Sequence, residues 1–192
     1  MQCTEQFNKD NYGAGGRKSL LTRQSHLIRG LELDRHGHFG GSLLLYFGML
    51  YVAGMRGDTF ETLVLSIAAA GVAAAMSVKQ DADNVLWGIF HRTWVTHSLT
   101  TVFLATGLTY ILLEEVAHAG PLSTYVALAV LAATLSHVLL DSLTKGGVPM
   151  FGPFDDTKRG LRWFKGDNIL LNWAFFAAGI AMAAYYFGLI RL

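Results

Sequence analysis

His137 and Asp141 stand four residues apart in an apolar stretch, so on a helix they share one face and can meet a single ion. A lone histidine in such a helix is more often a hydrogen-bonded packing residue. An ionisable pair at the edge of hydrocarbon is costly, however, and such pairs face a protein interior or a cavity. The run HRTWVTHS adds His91, Arg92, Thr96, His97 and Ser98, which supply two imidazoles, a guanidinium and hydroxyls. Imidazole suits zinc, iron and manganese, and guanidinium suits a phosphate or carboxylate. The bland alternative is a polar start to a helix, with Ser98 or Thr96 as its N-cap. His36 and His38 lie just before another apolar run, and Asp81 and Asp83 follow a third in DADN. Those two acids could be a ligand and a base, a bridge between ions, or solvated loop carboxylates. With Cys3 the only cysteine, no thiolate cage can form, and any metal must be held by imidazole and carboxylate.

Helices crossing a bilayer must position these groups. Only 15 % of the 192 residues are charged, against about a quarter in soluble domains, and 52 % are hydrophobic. The net charge of +1 carries no signature of nucleic-acid binding. Five runs approach the length that spans hydrocarbon: 39–55, 59–78, 98–117, 122–140 and 169–190. The first is the shortest and is rich in glycine. The expected fold is therefore all-α, a polytopic transmembrane bundle of about five spans. Residues 1–35 read as a polar tail, with an apolar periodicity from Ser19 to Leu33 that suits an interfacial helix or an ordinary solvated one. Residues 36–192 form the transmembrane domain. The polar stretch ahead of the first span does not resemble a cleaved signal.

Lys and Arg set the direction. With the N-terminus inside, the inner segments hold 13 of the 15 cations, and only Arg56 and Arg191 lie outside. His36, His38, Asp81, Asp83, His91, His97, His137 and Asp141 then all fall at cytoplasmic span ends, converging from four helices on one membrane depth. The span centres lack an acidic relay, which disfavours a metal or ion transporter. A membrane protein with a purely structural metal stays open as an alternative.

In order, GHFGGS (37–42), DAD (81–83), HRTWVTHSL (91–99), SHVLLDSLTKGGVPMFGPF (136–154) and GDN (166–168) resemble the motifs of the YdjM-like membrane-bound metal-dependent hydrolases. The family is similar to the zinc-dependent phospholipase C and P1-nuclease group. Gln80 and Asn84 depart from the family's PDxDH pattern, where Pro and His stand. The resemblance implies metal binding by His38, Asp83, His91, His97, His137 and Asp141, with Asp81 as a further ligand or base. It also implies hydrolysis of a phosphoester with a divalent metal, zinc before manganese or iron. Asp81 or Asp83 could take the proton from water and Arg92 could steady developing charge. Location suggests a membrane lipid or lipid-linked substrate. The loop 145–168 mixes Phe151, Phe154, Trp163 and Phe164 with Lys158, Arg159, Arg162 and Lys165, as interfacial loops of many functions do; a sharper reading is that it lies on the headgroups and draws phospholipid toward the site.

Overall fold

The computed structural model describes residues 35–79 and 93–191, the side chains of 78 and 79 excepted. It is a helical bundle: α1 Arg35–Val52, α2 Phe60–Lys79, the short α3 Trp94–His97, α4 Leu99–Ile111, α5 Pro121–Leu143 and α6 Ile169–Tyr186. A π-helical turn, Leu112–Val116, prolongs α4. No strand occurs among the described residues; the loop after α5 carries isolated bridges only.

Local chemistry sets the ends. Thr59 and Thr62 cap α2 reciprocally, each hydroxyl accepting from the other's backbone N–H. The Ser98 side chain accepts from the Thr101 N–H and starts α4, and Asn168 does the same for Leu171 at α6. Gly54, at φ 71°, ends α1, where the Met55 N–H reaches back to the Leu50 carbonyl. Gly188, at φ 70°, ends α6 in the same way through Leu189 and Ala184. The final helix thus stops at Tyr186, short of the expected 190, because a left-handed glycine ends it although Leu189 and Ile190 are apolar.

Among the described residues, four helices are long and apolar enough to cross a membrane, with spans Phe60–Ser77, Leu99–Val116, Pro121–Leu143 and Ile169–Tyr186. The remaining long helix, α1, falls short of that apolarity, because Arg35, His36, His38 and its glycines dilute it. It needs less apolar surface because it is central, packing on α2, α5 and α6. Tyr46, Phe47 and Leu50 of α1 join Ala69 and Ala73 of α2, Tyr125, Ala129 and Ala132 of α5, and Tyr186 in the main core. Helix α4 packs mainly on α5 and leaves Phe103, Leu104, Leu108 and Ile111 exposed, as lipid-facing side chains would be.

Candidate metal centre

Glycine brings α1 into place. A Cβ on Gly40 would stand 2.3 Å from the Phe175 carbonyl oxygen, and one on Gly179 would stand 2.3 Å from the Gly40 oxygen. One on Gly41 would meet Leu140 at 2.5 Å. The backbones of α1 and α6 therefore touch, while α1 rests on α5. GHFGGS is a close-packing motif as well as the bearer of a histidine.

That contact seats His38 beside the last turns of α5. The His38 and His137 rings stack with centroids 4.2 Å apart. His38 Nε2 lies 3.5 Å from Asp141 Oδ1, and His137 Nε2 lies 3.8 Å from Asp141 Oδ2. His97, at the end of α3, brings its Nε2 to 3.3 Å from Asp141 Oδ2 and 3.0 Å from His137 Nε2. His38, His137 and Asp141 each offer a donor atom within 4.8 Å of the others, and all three are buried.

Two supports fix His97. On its far side, Nδ1 lies 2.7 Å from the Thr96 hydroxyl, which leaves Nε2 aimed at the carboxylate. The α3 turn itself is held by Thr101 donating to the Trp94 carbonyl and by the Leu99 N–H donating to the Met150 carbonyl. On α5, Thr144 closes the helix by donating its hydroxyl to the Asp141 carbonyl. Ser98 is the N-cap of α4, so the capping alternative holds for that hydroxyl, while its neighbour His97 enters the cluster around Asp141.

The donor set suits a divalent cation. Nitrogen ligands at about 2.0–2.1 Å around a tetrahedral zinc lie about 3.3 Å from one another. The separations between 3.0 and 3.8 Å bracket that edge. A carboxylate within a nonpolar bundle is expensive to ionise unless cations or hydrogen bonds surround it. Three imidazoles around Asp141 can share a proton with it or, as neutral rings, join it in holding an ion. No cysteine occurs among the described residues.

His38, His97, His137 and Asp141 are thus brought together from the ends of three elements. His36 stays out of the cluster: it is exposed and stacks on Trp173 at 5.3 Å. Asp81, Asp83, His91 and Arg92 lie outside the described residues, as does the stretch from Ser19 to Leu33. The GDN motif is architectural here. Asn168 caps α6, and buried Asn172 donates to the carbonyls of Gly166 and Asn168. Sequence reasoning valued Thr96 as a hydroxyl near the site; its place directly before His97 was the available sign that it orients the ring.

Fold and site together define a multi-pass helical membrane protein with a buried His/Asp cluster at one end of its bundle. Residues 18–191 match the family described as YdjM inner membrane protein, and the chain belongs to that family. No curated protein and no solved structure matches it.

Proposed function

We propose that this chain is a membrane-bound metal-dependent hydrolase that cleaves a phosphoester in a lipid or lipid-linked substrate. The observation carrying this reading is the meeting of His38, His97, His137 and Asp141 from α1, α3 and α5. A divalent ion there, zinc before manganese or iron, would supply Lewis acidity and lower the pKa of a water toward neutrality. The protein's part is to hold and orient. The glycine contact sets His38, Thr96 turns His97, and the α5 pitch sets His137 against Asp141.

These four donors make a set for one ion; a second would draw on Asp83 and His91. In the same reading Asp81 accepts a proton and Arg92 steadies negative charge on the substrate. The similarity to zinc-dependent phospholipase C and P1 nuclease belongs to this reading and supports the choice of phosphoester. The N-terminus and the metal face the cytoplasm, as the distribution of Lys and Arg suggests.

One observation favours a second reading, a structural metal. His38, His137 and Asp141 are fully buried and His97 nearly so, whereas catalytic sites keep an open coordination position. One experiment separates the two. Metal content is measured in purified wild type, His137→Ala and Asp141→Asn, and each is assayed on a phospholipid and on a soluble phosphoester. The hydrolase reading expects metal and hydrolysis in wild type and loss of both in the variants. Equal metal in all three sinks the site; metal in wild type with no hydrolysis of either substrate gives the structural reading.

A further inference from the structure

The segment between α5 and α6 is a built surface. The Val148 N–H donates to the Arg159 carbonyl and the Arg159 N–H returns to Val148, both at 2.9 Å. The Lys145 N–H donates to the Phe164 carbonyl, and the Phe164 N–H to Leu143. Gly160, whose Cβ would stand 2.2 Å from the Ser142 oxygen, lets the returning chain lie directly on the end of α5. Through the Leu99 to Met150 bond the loop is also tied to the start of α4. Its exposed side chains are therefore held in place.

Most of those side chains are of two kinds, apolar and cationic, with Asp156 and Asp167 exposed beside them. Phe154 is 91 % exposed, Trp163 67 % and Leu161 53 %, and the first residues of α6, Ile169 and Leu170, continue the apolar face. Between and beside them stand exposed Lys158, Arg162 and Lys165. Arg159 is committed to Asp155 at 2.6 Å. Among the described residues no carboxylate lies within ion-pair distance of Lys158, Arg162 or Lys165; the Arg162 side chain donates only to the Lys158 carbonyl. Both ends of the loop run into helices long and apolar enough to span a bilayer, so the loop sits where hydrocarbon gives way to water. Aromatic side chains favour that depth, and cations there meet lipid phosphates.

We propose that this loop is a docking surface for anionic phospholipid headgroups, with Phe154, Leu161 and Trp163 entering the interface and Lys158, Arg162 and Lys165 meeting phosphate. This goes beyond the hydrolase reading and stands without it, since it concerns retention of lipid rather than turnover. Charge complementarity selects the occupant: uncommitted cations interleaved with apolar side chains match a charged headgroup above acyl chains.

The test is native mass spectrometry of the full chain titrated with phosphatidylglycerol or phosphatidylcholine. Wild type is expected to retain phosphatidylglycerol preferentially. The triple variant K158Q/R162Q/K165Q is expected to lose that preference by up to about a hundredfold, at about fivefold per cation, with phosphatidylcholine retention unchanged. The control R56Q/R191Q removes cations from the other end and should bind as wild type. If the triple variant melts early, K158Q/K165Q, which keeps the Arg162 bond, decides the matter. Equal retention of the two lipids by wild type, or full preference in the variant that melts normally, overturns the proposal and leaves the face to an acidic protein partner.

Discussion

A histidine ligand is useful only when its ring is turned correctly, and His97 shows how a neighbouring residue does this. Its Nδ1 meets the Thr96 hydroxyl, and that contact points Nε2 toward Asp141. Removing such an outer partner typically costs 10–100-fold in metal affinity while leaving the ligands present. Thr96→Val, nearly equal in size, is therefore expected to weaken metal retention by about that factor with little change in folding. Competition against a chelator of known affinity measures it, and unchanged retention would remove the positioning role. At this scale the sequence was informative. His137 and Asp141 were legible from their spacing, and His38 and His97 from their places at the ends of apolar runs. His36 shared the same placement and still turned outward onto Trp173. The difference is angular: two residues along a helix rotate the side chain by about 200°, which a count of histidines near a span end does not register.

Elements carry those residues only as well as they pack. Helix α1 reaches α5 and α6 through Gly40, Gly41 and Gly179, and the obstructing atoms at Gly40 and Gly179 are backbone, which cannot swing aside. Gly40→Ala is expected to force α1 away from α6, at a cost of about 1–3 kcal/mol typical of overpacking, and to carry His38 away from His137. Gly48→Ala on the same helix, where a Cβ meets nothing within 4 Å, is the control and should be neutral or slightly stabilising. Thermal unfolding and metal content read together check both halves; a Gly40→Ala protein with wild-type metal content would show that the helix contact does not set the site. The helices themselves were legible as apolar runs to within a few residues. The end of α6 was not, because a glycine in left-handed conformation outweighed two further apolar residues. Nor was the centrality of α1, which read as the shortest run and rich in glycine, when those glycines are what lets it pack inside.

For the whole molecule, the alternation of helices fixes what shares a side. The ends of α1 and α5 that meet in the His/Asp cluster are also where the loop 144–168 begins, so Lys145, Lys158, Arg159, Arg162 and Lys165 lie at the His/Asp end of the bundle. Arg56, in the turn between α1 and α2, and Arg191, after α6, lie at the other. Retained positive charge marks the cytoplasmic side, which turns this division into a statement about direction. In a Cys3→Ser background, Lys158→Cys is expected to resist a membrane-impermeant maleimide in spheroplasts and to react in inverted vesicles. Asp58→Cys, in the opposite turn, should behave in reverse. Lys158 and Asp58 are both exposed or nearly so, so the reagent is limited by the membrane and not by the fold. The reverse labelling pattern would place the His/Asp cluster on the outer side, and a substrate of the proposed hydrolase would then have to be sought among periplasmic phosphoesters and outer-leaflet lipids. The expected pattern confines it to molecules that reach the inner leaflet from the cytoplasm.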